Sequence, residues 1–87
     1  MSIVFHRIKE GEFKRMVEAG AIDEFVVQES KHITGKFHLL GIKPAERIGY
    51  TVRHGRVDEL RTWRVDILAQ LLKEWHVRSF KVQHYYD

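Results

Sequence analysis

The segment Leu60–Tyr85, LRTWRVDILAQLLKEWHVRSFKVQHY, decides the fold of this chain. Ile67, Leu68, Leu71, Leu72 and Trp75 recur at helical spacing, with Arg64, Gln70, Lys73 and Glu74 on the other side. An apolar stripe of that width is made to cover a sheet. A few residues later the period changes to two. Phe80 and Val82 alternate with Lys81 and Gln83, the pattern of a strand with one buried face. The spacing therefore predicts a helix that feeds a closing strand over Ser79–His84. Thr62 is placed to accept a free backbone N–H as the helix N-cap, and Asp66 in the first turn suits the helix dipole.

Upstream, Glu46–Arg53 alternates most cleanly. Ile48, Tyr50 and Val52 share one face, and Arg47, Gly49, Thr51 and Arg53 share the other. His54-Gly55 offers a tight turn, after which Val57–Arg61 reads as a returning strand. Asp23–Glu29 and Lys36–Ile42 form a predicted hairpin across the polar stretch Ser30–Gly35. Lys43-Pro44-Ala45 breaks the pattern, because proline cannot donate to a ladder. Glu10–Ala19 carries Phe13, Met16 and Val17 at i, i+3 and i+4, and Gly20 suits the left-handed position after a helix. Ser2–Ile8 reads as a short strand or an extended arm. The predicted class is α+β, in the order α-β-β-β-β-α-β. One mainly antiparallel sheet of four to five strands would carry both helices on one face. The expected core is Phe13, Val17, Phe25, Val27, Phe37, Leu39, Ile48, Tyr50, Val52, Leu60, Leu68, Leu71, Leu72, Phe80 and Val82. Trp63 and Trp75 are expected as lids at the two ends of the second helix.

The 87 residues make one domain, and a chain of this length has room for a single core. A 44% hydrophobic content with ten aromatic residues argues against disorder. No apolar run is long enough to span a bilayer, so no membrane partner is expected. The N-terminal segment is too charged for a secretory signal. The absence of cysteine excludes disulfides, thiolate zinc sites and a cysteine nucleophile. A cytoplasmic protein is the expectation. The net charge of +3 permits a phosphate-binding face without demonstrating one.

The run MVEAGAIDEFVVQE, the Gly-Lys-Phe strand, IGYTVRHGRVDELRTW and LAQLLKEWHVRSFKV together resemble the small ParC-like partition-associated proteins of plasmids and integrative elements. The positions that carry the likeness are Val17-Glu18-Ala19-Gly20-Ala21, Gly35, Phe37, Arg61, Val65, Asp66, Leu71 to Glu74, Val77, Phe80 and Val82. Two positions depart from it. His76 stands where the family usually ends its helix with glycine, and Arg64 where it often has a serine cap. The resemblance implies an accessory role in plasmid maintenance, with DNA or a partition or regulatory protein as partner, and it implies no catalytic residues.

Alternation places Lys36, His38, Arg47, Thr51, Arg53, Lys81, Gln83 and Tyr85 opposite the core. Cations on adjacent strands can hold phosphates and an aromatic among them can stack on a base, giving weak, salt-sensitive binding. A mixed-charge solvated sheet face has the same composition, and Glu24 and Glu46 oppose the basic reading. Arg53-His54-Gly55-Arg56 can grip a phosphate at a hairpin tip or be a plain turn. The candidate nucleic-acid or partner-binding set is Lys36, His38, Arg47, Arg53, Arg56, Lys81 and Tyr85. Val26, Leu40 and Ile42 are apolar on the same face and form the candidate partner or homodimer surface, unless the N-terminal arm covers them through Ile3 or Phe5. The six histidines lack zinc-motif spacing, and no cofactor or metal is assigned. No phosphate loop, nucleophile elbow or carboxylate pair supports catalysis, so a non-enzymatic binding protein is expected, with a purely self-associating or protein-binding module as the alternative.

Overall fold

A computed structural model of the chain describes residues 2–86. The elements run β1 (Val4–Lys9), α1 (Glu10–Glu18), β2 (Glu24–Glu29), β3 (Phe37–Lys43), a 3-10 turn (Pro44–Glu46), β4 (Ile48–Arg53), α2 (Val65–Glu74) and β5 (Lys81–Gln83). The α+β class stands, with one five-stranded mixed sheet in the order β1-β4-β3-β2-β5. The three central strands are antiparallel, as the hairpin reading requires. Both edges join in parallel, β1 to β4 and β5 to β2.

This topology explains why both helices share a face. The α1 crossover leads from β1 to β2, and the α2 crossover leads from β4 to β5. Each links parallel strands, and both travel in the same direction across the sheet. One crossover hand therefore puts both helices on one side. Between them and the sheet lies a single cluster of Phe13, Ile22, Val27, Phe37, Leu39, Val52, Trp63, Leu68, Leu72 and Trp75. The Phe13 ring, midway along α1, and the Trp75 ring, at the C-cap of α2, lie 6.1 Å apart and lock the two helices together.

Four expectations are corrected. The chain begins with a strand, so the order is β-α-β-β-β-α-β. Val57–Arg61 is not a strand. The chain instead wedges between the diverging ends of β3 and β4, bridging Arg53 through Leu60 and Phe37 through Trp63. Arg61 N–H donates to Val52 O at 3.0 Å, and Trp63 exchanges two hydrogen bonds with Phe37 at 2.8 and 3.0 Å. The turn is accordingly longer than His54-Gly55, closing when His54 N–H donates to Glu59 O. Trp63 is held extended by Phe37, so α2 cannot begin at Thr62. Its N-cap is Arg64, whose guanidinium holds both oxygens of Asp66 at 3.1 and 2.7 Å.

The remaining corrections concern where side chains lie. Leu60, expected in the core, shares the face of its bridge partner Arg53, away from the helices. Val82 is on the helix side but 40% exposed, because β5 is a three-residue edge. Val26, expected on an open surface, is 7% exposed although it faces away from the helices.

The helices end alike but with different residues. After α1, Gly20 takes φ +69 and Ala21 N–H reaches back to Met16 O. After α2, His76 takes φ +63 and Val77 N–H reaches back to Leu72 O. Both are left-handed caps in which two terminal carbonyls are satisfied. Glycine adopts that conformation freely and histidine does not. His76 therefore closes the same turn as Gly20 at a greater backbone cost.

Candidate binding face

The face of the sheet away from the helices is termed the outer face. Register assigns it Phe5, Arg7 and Lys9 from β1; Gly49, Thr51 and Arg53 from β4; His38, Leu40 and Ile42 from β3; Glu24, Val26 and Gln28 from β2; and Lys81 and Gln83 from β5. These fall into rows across the strands. Phe5, Gly49, Ile42 and Glu24 make the first. Arg7, Thr51, Leu40, Val26 and Lys81 make the second. Lys9 pairs with Arg53, and Gln28 pairs with both His38 and Gln83, at the end where the wedge enters.

The centre of this face is apolar and nearly closed. Val26 is flanked by its register partners Leu40 and Lys81. Phe5 lies across Gly49 so tightly that a Cβ there would overlap its ring. Leu40 and Ile42 are half-buried, so Val26 contributes little contact area and the open apolar strip reduces to Phe5, Ile42 and Leu40. Thr51, 4% exposed, has a buried hydroxyl with no hydrogen-bond partner, an arrangement that costs free energy unless something satisfies it.

Cations gather at one corner. Arg7 and Lys9 alternate along β1, Arg53 lies beside Lys9, and Arg56 stands exposed in the following loop. Arg7 donates to the Asp58 carbonyl oxygen at 2.9 Å and draws that loop over the outer face. Its guanidinium is 3.8 Å from the Asp58 carboxylate, an exposed pair of little energetic weight. Arg53 donates to His54 O. Arg47 does not belong to this group. It is not in a strand but follows the 3-10 turn at φ +55, and its carbonyl accepts from Val4 N–H at the opposite end of β4. Pro44 starts that turn and delays the strand to Ile48, which is why the alternation could be extended too far back in sequence.

Beside the corner lies an open cavity of about 900 Å³. Gln28, His38, Leu60 and Thr62 line it from the sheet and wedge, and the 30–33 turn, the 54–59 loop and Tyr85 form its sides. His38 Nδ1 sits 3.3 Å from Arg61 O. A carbonyl oxygen only accepts, so that nitrogen carries the proton and Nε2 is left as an acceptor in the neutral ring. Glu29 holds the rim together. Its carboxylate accepts from Gly35 N–H at 2.9 Å and Tyr85 N–H at 3.0 Å, with His84 Nδ1 at 3.6 Å. These hydrogen bonds, Gly35 first, hold its pKa below the ordinary 4.5. Ser30 Oγ accepts from His32 and Ile33 N–H and shapes the facing turn.

Of the residues expected to bind, His38 and Tyr85 line this cavity, and Arg53 and Arg56 lie at the cationic corner. Lys36 closes the 30–36 turn, where its carbonyl accepts from Ser30 N–H at 2.7 Å. Lys81 stands apart on the β5 edge. Arg7 and Lys9 were not singled out from sequence; Phe5 was named as a cover for the apolar outer positions, and it lies on that face across Gly49. A signal existed, since FHRIK alternates with its cations in step, but an arm and a strand share that pattern. His32 and His38 both line the cavity, yet among the described residues no three His, Asp or Glu side chains gather as a metal site. No helix among them is long and apolar enough to cross a membrane. No family model matches the chain, and neither a curated protein nor a solved structure matches it.

Proposed function

We propose that this protein is a non-enzymatic accessory protein of a plasmid or other mobile element, and that it binds DNA weakly through the outer face. The observation that carries the DNA reading is the corner where Arg7, Lys9 and Arg53 occupy adjacent places on neighbouring strands, with Arg56 beyond them. Long cationic side chains on a rigid sheet hold phosphates in any sequence, because the phosphate backbone is the same for every base. Tyr85 at the far side of the cavity supplies a ring on which an unstacked base can rest. The accessory role rests on the ParC-like resemblance of residues 16–29, 35–37, 48–63 and 68–82.

Fluorescence anisotropy with a short duplex, titrated between low and physiological salt, tests the reading. Four phosphate contacts give a log–log salt slope of about −3.6. The double variant Lys9→Ala, Arg53→Ala should lower that slope by about 2. Arg47→Ala, at the far end of β4, should leave it unchanged. Binding that ignores salt, or an equal loss in Arg47→Ala, rejects the DNA reading. The strip of Phe5, Ile42 and Leu40 favours a second reading, in which a partition or regulatory protein covers the outer face. That partner would bury Leu40, and Leu40→Glu would abolish its binding while sparing a DNA contact at the corner.

A further inference from the structure

We propose that β1 is a self-pairing edge, at which two copies of the chain join antiparallel about a two-fold axis through His6, forming one continuous sheet with five strands from each copy. The partner is a second copy of this chain, and the pairing does not depend on what the outer face binds.

The two edges of the sheet differ in how they are defended. β5 is three residues long, too short to template another strand. β1 is six residues long, contains no proline and shows no bulge in its ladder with β4. Its side chains do not block approach. Phe5 lies inward across Gly49, and Arg7 reaches inward to Asp58. Val4 is left 61% exposed at the edge. Natural edges of this length are normally protected by charge, proline or distortion, or else they are paired. Lys9, at the last position, is the one outer-edge charge not drawn inward.

The backbone directions follow from one hydrogen bond. Val4 N–H donates to Arg47 O, on the β4 side. Successive residues of a strand alternate, so His6 and Ile8 also address β4. Phe5, Arg7 and Lys9 present their N–H and C=O groups outward. Those groups are the ones a second strand must meet.

Register is then set by chemistry. A two-fold axis normal to the sheet keeps the helix faces continuous, so paired residues must share a face. Centring on His6 sets Val4 against the partner's Ile8, apolar to apolar. It sets Phe5 against the partner's Arg7, where both pairs of backbone groups exchange hydrogen bonds. Centring on Arg7 would set two like-charged residues directly opposite one another, which is unfavourable. Centring on Phe5 would pair only Val4 to His6 of the strand. The His6 register is the one that is self-complementary throughout, as an isologous interface requires.

In that register the two copies of His6 form a non-hydrogen-bonded pair, with Cα atoms about 4.5 Å apart, within disulfide reach. The chain has no cysteine, so single-cysteine variants report position without background. Light scattering of the unaltered protein should give twice the chain mass. Under mild oxidation, His6→Cys should cross-link, whereas Phe5→Cys and Arg7→Cys should not. An equal mixture of Val4→Cys and Ile8→Cys should form a mixed disulfide that neither forms alone, which keeps the test intact if His6→Cys folds poorly. A monomer mass with no cross-link overturns the proposal. So does a dimer that cross-links at Phe5→Cys or Arg7→Cys, or at no β1 position.

Discussion

Leu39 and Leu40 are adjacent on β3 and face different environments. Leu39 is fully buried between the sheet and the helices, among Phe13, Val27, Leu68 and Leu72. Leu40 faces the other way, beside Val26 and Thr51, and keeps part of its surface in water. The helix side is a packed interior that holds the fold. The outer side is a thin layer of side chains over the sheet, covered in part by the Phe5 ring and the 54–59 loop. A single-layer sheet with one covered face must expose chemistry on the other, and this one exposes a short apolar strip bounded by a cationic corner.

The sharpest way to break that contrast is a pair of leucine truncations. Leu39→Ala should cost about 2–5 kcal/mol, from lost transfer energy plus an unfilled cavity. Leu40→Ala should cost roughly 1 kcal/mol, in proportion to its partial burial. Urea unfolding followed by tryptophan fluorescence reads both, since Trp63 and Trp75 are in the core. Equal costs would mean that the outer face is as tightly packed as the helix face.

A smaller change would sharpen the contrast by strengthening only the covered side. His76→Gly relieves a left-handed cap and should stabilise the protein by about 1 kcal/mol. His76 is exposed at the end of α2 and lies outside the outer cavity, so the DNA binding proposed for the outer face should not change. A stabilised variant with altered DNA affinity would show that the two faces are coupled.

The smallest expected effect belongs to the outer rim. Hydrogen bonds from Gly35 and Tyr85 and the nearby His84 depress the Glu29 pKa. A carboxylate whose pKa falls on folding stabilises the native state above its unfolded pKa, and that contribution is lost as pH falls through the folded value. Below the ordinary 4.5, therefore, the Gly35 and Tyr85 amide resonances should move together with one midpoint as the rim loosens. Glu29→Gln should remove that shared transition, and the helix-side amides should not follow it. Independent midpoints for the two amides would mean that Glu29 does not join them.

Much of the fold was legible because its signals are local. The stripe of α2, the alternation of β2, β3 and β4, and the glycine after α1 each depend on residues within one or two turns of chain. The candidate site was legible only in part. Parity alone placed His38, Arg53 and Lys81 on the outer face. It could not place Arg7 and Lys9, because a strand at the N-terminus is decided by a parallel partner more than forty residues away in sequence. The same distance hid the wedge at Leu60 to Trp63, where two bridges to different strands replace a ladder.

Hydrophobic period by itself determined that this chain has two amphipathic helices, a sheet with one greasy side, and a wet side carrying its cations. Only tertiary pairing decided that both sheet edges are parallel, that Arg53 has Lys9 for a neighbour and Arg47 does not share that corner, and that β1 is left with an open flank. The reason is that side-chain period is a property of each strand alone. Strand order and register are instead a joint property of segments far apart in the chain.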